Sequence, residues 1–338
     1  MTVLERRPRV SEVAARAGVS TATVDRVING RGGVRETTVA RVEKAIREMA
    51  GHARTIRNRT VLAHHFDIFL PAHSGRSTEV LGEALDAAGA AWGATLRIVY
   101  VERMNATALS QQLRACCDRG SAGVAFQGVD HPLVRDAVQH LRRAGIPVLT
   151  LCSDIAGADR LAYIGVDNRA AGRTSGWLMG RICRGPGKLA VVWGGQLYRS
   201  HEEREIGFRA VLRHEHPSLQ ILEMVNGDDD ADLNFERVRA LIARTPDLRG
   251  IYCVGGGQRG VAAALEAEGV AQQVVLVGHN FNDETKPYLL SGTMDAAIHQ
   301  DMTRIAESAL SCLMGADDQP ASASIPIEII TRENLMHR

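Results

Sequence analysis

The chain has 338 residues, more than one ordinary domain uses and suited to two or three. It is 45% hydrophobic and 23% charged, the composition of a soluble globular protein, and no apolar run approaches the roughly 18 residues of a membrane span. The net charge of +1 conceals a division: residues 1–60 hold 13 Lys and Arg against 6 Asp and Glu, and the rest holds 27 against 33, so only the small head suits a polyanion.

The opening "MTVLERRPRVSEVAARAG" has charges but no apolar core, so no secretory signal is read there. Six cysteines, at 116, 117, 152, 183, 253 and 312, sit mostly in apolar stretches without C-x-x-C spacing. A reduced, cytoplasmic chain without disulfides, metal or cofactor is the expectation.

In chain order, the first element is a helix on which Val10, Val13, Ala14 and Ala17 recur at i, i+3, i+4 and i+7. Gly18 interrupts it as a residue of positive φ does, and Ser20 is a good N-cap for a second helix. There Thr23, Val24, Val27 and Ile28 share one face, while Thr21, Ala22, Asp25, Arg26 and Asn29 share the other. A third periodic run, Val39, Val42, Ile46 and Met49, closes a small three-helix core. A turn of about four residues between the first two helices lets the second enter a major groove while the first braces it.

The segment "VSEVAARAGVSTATVDRVING" resembles the DNA-binding head of the lactose-repressor (LacI/GalR) family. The resemblance implies an all-α helix-turn-helix domain over 8–52 that binds double-stranded operator DNA. Thr21 and Ala22 would then reach base edges, Arg26 a guanine or a phosphate, and Ser20, Thr23 and Asn29 the backbone. Asp25 departs from the small hydroxyl residue usual in the family. It orients Arg26, accepts from a cytosine amine, or stays solvated at the rim.

Residues 53–61 are a basic linker. The family's Tyr-x-Pro-Asn motif and Ala-rich hinge helix are replaced by "AGHARTIRNRTVLAHHF", in which Ile56 alone could act as an apolar wedge. Arg54, Arg57 and Arg59 follow phosphates or enter a narrow minor groove, unless they form a merely solvated linker.

From residue 62 to 338, apolar runs such as "LRIVYV", "AGVAFQ", "KLAVVWG" and "VVLVGH" alternate with helical stretches such as 77–92, 105–119 and 131–144. This alternation implies α/β architecture, with parallel, doubly wound sheets covered on both faces. Two such series imply two lobes, with ligand held at the strand C-terminal ends. The arrangement is similar to type I periplasmic sugar-binding proteins and to the effector domain of the same repressor family. That likeness implies lobe 1 at about 62–162 and 294–323, and lobe 2 at about 163–293 and 324–338.

The same resemblance places Arg204, in "EEREIGF", at the cleft mouth, Ser153 and Asp154 after a strand, Asn280 where many members have aspartate, and Gln300 where sugar-binding relatives have a glutamine. For each, a surface or supporting role competes. The aromatic motif that ends the first strand in sugar-binding relatives is replaced by "PAHSGRSTEV", offering Ser74, Arg76, Ser77 and Thr78. The Asn-Asp expected after 250–254 has become "GGGQRG", where Gly256 would let an effector approach backbone N–H groups beside Arg259. Convergence of Arg76, Arg204 and Arg259 points to a polyol, sugar acid or phosphorylated sugar.

The stretch "IYCVGGGQRG" is also a formal G-x-G-x-x-G, yet the next strand ends in His279 and Asn280 rather than an acidic ribose ligand. "HEERE" and "HEHP" lack the H-E-x-x-H spacing of zinc sites, and "NGDDDADLN" reads as a solvated acidic turn supplying helix caps.

The expectation is a non-enzymatic, ligand-responsive transcriptional regulator, a repressor, acting as a homodimer on a pseudo-palindromic operator, with tetramers left open. A nicotinamide oxidoreductase using the loop 255–260 and a transporter's solute-binding protein are the competing classes. Arg57→Ala is expected to weaken binding to every duplex and to lower the salt slope by up to about one, as read by titration at several ionic strengths.

Overall fold

The computed structural model describes Ala14, residues 17–28, Val34, residues 38–39 and 41–42, and residues 64–337 apart from 158, 184, 196, 223–224 and 317–322. It divides into two units, 1–63 and 64–338, each taken by itself.

In the head, α1 (Thr21–Ile28) is entered from a turn whose Gly18 has φ 62°. Val19 N–H donates to the Ala14 carbonyl at 3.0 Å, closing the preceding helix by a left-handed cap, and Thr23 N–H donates to Ser20 Oγ at 3.2 Å. Ala14, Ala17, Val24 and Val42 are buried together, with Val19 and Val27 packed against them. Arg41 adds a clamp that periodicity does not reveal, its Nη2 donating to the carbonyls of Ala17 at 2.6 Å and Gly18 at 3.1 Å. Val10, Val13, Ile46, Met49 and the linker 53–61, with Arg54, Ile56, Arg57 and Arg59, lie outside the described residues.

The body alternates strand and helix. Its first half runs β1 (His65–Ala72), α2 (Arg76–Trp92), β2 (Thr95–Glu102), α3 (Ala106–Asp118), β3 (Gly123–Gln127), α4 (Pro132–Arg143), β4 (Val148–Leu151) and β5 (Ala162–Gly165). The second half runs α5 (Asn168–Ile182), β6 (Gly187–Trp193), α6 (Arg199–Glu215), β7 (Leu219–Ile221), β8 (Val225–Asn226), α7 (Ala231–Arg244), β9 (Leu248–Cys253), α8 (Gln258–Ala267), β10 (Val275–His279), α9 (Lys286–Ser291) and β11 (Ala296–His299). The chain then returns through α10 (Met302–Leu313), β12 (Ala323–Ser324) and β13 (Glu328–Ile330).

The first sheet has the order β12-β5-β4-β3-β1-β2 and is wholly parallel. The second has the order β13-β11-β10-β9-β6-β7, with β8 beside β6 and only β13 antiparallel. These pairings move the expected lobe boundaries. Residues 162–165 still belong to the first sheet and 296–299 still belong to the second, so the chain crosses a few residues later than the anticipated 162 and 294. The reason is that each strand stays in its sheet until its C-terminal end, where the cleft lies.

Burial on both faces explains the near-continuous apolar runs. In β1, Phe66, Ile68 and Leu70 enter one core of lobe 1 while Phe69 enters the other, with Val124 and Phe126 of β3. In lobe 2, Ala190, Val192, Ile251 and Cys253 face one core, and Leu189, Val191, Tyr252 and Val254 the other. The helix α10 packs Ile305, Ala306, Ala309 and Leu310 against Leu81 and Leu85 of α2, tying the returning chain to lobe 1. Among the described residues, which include all six cysteines, no disulfide forms, and five of the cysteines are buried. Among the described residues no helix is long and apolar enough to cross a membrane.

Phe126 is fully buried, so Phe126→Ala is expected to cost about 3–5 kcal/mol in denaturant unfolding of the body.

Candidate functional site

The head presents Thr21, Ala22 and Arg26 exposed on α1, over the fully buried Val24. The Ser20 hydroxyl serves the cap and lies 2.9 Å from Thr23 Oγ1. The Asp25 side chain and Asn29 lie outside the described residues.

In the body, both sheets direct the C-terminal ends of their parallel strands to one cleft of about 800 Å³, counting the part open to solvent. Lobe 1 contributes the turn after β1 (Ser74 to Thr78), Gln127 and Cys152. Lobe 2 contributes Tyr198, Ser200, His201, Arg204, Asp229, the loop 255–259, Asn280, Asn282 and, past β11, Gln300.

Arg204 forms the floor of the cleft and not its mouth, where the resemblance places it. It is only 5% exposed, and burial works against its charge, pulling its pKa down. Two acceptors hold it: Nε donates to Asn168 Oδ1 and Nη1 to the Val254 carbonyl, both at 2.8 Å. Asn168 in turn donates to the Cys152 carbonyl of lobe 1 at 3.2 Å. This reach depends on α5 and α6 lying almost backbone to backbone. A Cβ on Gly172 would stand 1.9 Å from the Arg204 carbonyl oxygen, and one on Gly207 would stand 2.2 Å from that of Arg169.

Three side-chain amides that line the same cleft each have an oxygen with no partner. Gln258 is oriented by its own Nε2, which donates to the carbonyls of Gly255 and His279, and this leaves Oε1 buried and unpaired. Gln300 Oε1 and Asn280 Oδ1 are unpaired as well, and Gln300 is only 4% exposed. An unmatched buried acceptor costs about 1–3 kcal/mol, so these groups await hydrogen-bond donors.

The glycine loop differs from expectation. Gly256 N–H donates to Asp229 Oδ1 at 2.6 Å, so this amide is taken by the protein's own carboxylate and not left for an effector. A Cβ on Gly255 would stand 2.2 Å from the same oxygen, so the glycines make room for Asp229. A carboxylate already occupies the start of α8, where a dinucleotide pyrophosphate would have to sit. Its neighbour Asp230 does cap α7, accepting from Leu233 N–H at 2.8 Å.

Of the residues singled out from sequence, Ser74, Arg76, Ser77, Arg204, Gly256, Arg259, Asn280 and Gln300 line the cleft. Ser153 and Asp154 do not. Ser153 is fully buried, accepting from Ser200 N–H at 3.3 Å, and Asp154 is consumed by Thr150 at 2.7 Å and by Arg160. The three arginines all line this one cleft but differ in exposure and in the partners that hold them. Arg259 is exposed, and Arg76 is held by Glu83 at 2.7 Å, Asp283 at 2.8 Å and Glu79 at 3.2 Å.

Sequence reasoning missed Tyr198, Ser200, His201, Asp229 and Gln258. Helical spacing from Arg204 would have found Ser200 and His201, which lie four and three residues earlier on the same buried face.

Gly172→Ala must push α6 away from α5. About 1–3 kcal/mol of stability should be lost in thermal unfolding, and any ligand-induced rise in melting temperature should shrink with it as Arg204 leaves the floor.

The body matches the family described as periplasmic binding protein domain over residues 67–316, and the head matches the bacterial regulatory proteins of the lacI family over 9–52. The HTH-type transcriptional regulator CelR of Thermobifida fusca is 27% identical over 296 residues, spanning 81% of this chain and 82% of its own. The regulator GntR of Pseudomonas aeruginosa is 26% identical over 342 residues, 97% of this chain and 96% of its own. Among solved structures, the glucose-galactose binding protein GanP of Geobacillus stearothermophilus superposes with a TM-score of 0.74 at 20% identity, over 81% of this chain and 99% of that one. A solute-binding protein of Burkholderia graminis in complex with D-arabinose gives 0.76 at 21%, over 81% and 97%. A head and a two-lobed body in one chain, each matched by its own family, make this protein a lacI-family transcriptional regulator with a periplasmic-binding-protein domain.

Proposed function

We propose that the chain is a repressor that grips a pseudo-palindromic operator as a homodimer, and that a small uncharged polyhydroxy compound bound between the lobes sets its DNA affinity. The observation that carries the ligand class is the set of unpaired amide oxygens on Gln258, Asn280 and Gln300 in the cleft that the buried Arg204 also lines. A hydroxyl both donates and accepts, so a polyol or monosaccharide satisfies the amides and Arg204 together. A carboxylate or phosphate only accepts. That group adds no donor beyond the hydroxyls that an acid or ester shares with the neutral compound, and it would face Asp229 and Glu284, which also line the cleft. Among the candidates raised by the sequence, the acid and phosphate forms are therefore disfavoured.

On the DNA side, Thr21, Ala22 and Arg26 form the exposed reading face of α1, and Arg54 and Arg57 serve as phosphate contacts of the linker. Each head reads a half-site, so pairing supplies the remaining affinity. Effector bound between the lobes would bias the body toward one of two states that differ in how they present the heads.

The test is a thermal-shift screen of neutral sugars and polyols beside their acids and phosphates, followed by operator titration with each hit. Neutral compounds should raise the melting temperature and change operator affinity, and a response confined to acids or phosphates would refute the ligand class. Arg26→Ala should remove about 1–3 kcal/mol of operator affinity with the thermal shift intact, whereas Gln300→Ala should abolish the shift and leave effector-free DNA binding unchanged.

A further inference from the structure

We infer that Arg76 is the gate of the cleft: it ties lobe 1 to lobe 2 through Asp283 and sets how often the lobes part. Arg76 opens α2 in lobe 1, and its Nε donates to Asp283 Oδ1 at 2.8 Å, in the lobe 2 turn between β10 and α9. Nη1 donates to Glu83 at 2.7 Å and Glu79 at 3.2 Å, so two carboxylates of its own helix hold the guanidinium with Nε turned to the other lobe. The neighbouring residue repeats the crossing, because Asn282 Nδ2 donates to Ser77 Oγ at 3.3 Å.

The receiving turn is firmly held. Asn282 Oδ1 accepts the N–H groups of Glu284 at 3.0 Å and Thr285 at 3.1 Å. The two crossings therefore join the first turn of α2 to a braced turn of lobe 2, across the space that a ligand must enter.

Other ties between the lobes are buried. Tyr198 is 3% exposed and packs with Phe126, Val129 and Met104 of lobe 1, and Ser200 N–H donates to the fully buried Ser153. The Arg76 tie is different. Asp283 is 71% exposed, so the pair is weak and screened by salt, as a gate that opens and recloses readily must be. A guanidinium shared among three carboxylates has little left for a ligand, which separates Arg76 from Arg204 in role.

The inference rests on the proposed effector cleft for its purpose only, since opening is measured with neither effector nor DNA. Cys152 lines the cleft at 8% exposure, whereas Cys183, at 6%, lies away from it at the end of α5. The full-length protein is treated with N-ethylmaleimide, and the labelling rates of both thiols are followed by mass spectrometry. Asp283→Asn and Arg76→Met should each raise the Cys152 rate relative to Cys183 by about threefold or more, and the double variant by no more than either alone. Salt at about 0.5 M should raise the ratio in the parent and not in Asp283→Asn. An unchanged ratio in Asp283→Asn overturns the gate, whether or not Arg76→Met acts, because the tie across the lobes would then do nothing. A parallel rise at both thiols overturns it too, by assigning the effect to loosening of the whole fold. A failed ligand screen beside a positive labelling result refutes the polyol reading and leaves the gate standing.

Discussion

A guanidinium sealed under two lobes is tolerated only if its donors find acceptors, and nearly everything in the cleft follows from how Arg204 finds them. Its partners are the Asn168 side chain and the Val254 carbonyl, and neither is within reach unless α5 and α6 touch through their glycines. Asn168 sits just past the first crossing between lobes and also donates to lobe 1 at Cys152. Arg204 is thereby joined to lobe 1 through two consecutive hydrogen bonds, next to the segment where the chain passes between the lobes.

The fold was legible because strands buried on both faces leave apolar runs, and because helices 76–92, 106–118 and 132–143 fall within a residue or two of the periodic stretches. The cleft lining was legible where a motif marked the position, as at Arg204 though not its depth, or where the family resemblance did, as at Asn280 and Gln300. It was obscure where side chains choose among equals. In "GDDDA" three aspartates are indistinguishable on paper. The turn, with φ of 47° at Asp228 and 58° at Asp229, decides that Asp229 faces inward and Asp230 caps a helix. Arg76 shows a second limit. Its partner lies 207 residues away, on the opposite lobe, and no local pattern announces it. Asp154 shows a third: an acidic residue in the right loop is spent on Arg160 when a cation folds over it.

In the head, the sequence pattern and the geometry agree on which side of α1 is covered. The Arg41 clamp adds that the turn between the first two helices is held from the third segment, by bonds to the carbonyls of Ala17 and Gly18. The turn that sets the exposed face of α1 is thus held by three segments and not by its own residues alone. An arginine in a basic head need not face DNA, and this one completes the helix end.

The carboxylate of Asp229, lodged against the Gly256 amide, has a physiological corollary. Metabolites that enter a cell are commonly trapped by kinases, which convert a free hydroxyl compound into its phosphate ester. If the proposed effector reading holds, a cleft with a carboxylate lodged at this amide would respond to the first species and ignore the second. On the proposed reading, transcription would follow the balance between uptake and phosphorylation, rising or falling with the unmodified nutrient even while its activated derivatives accumulate.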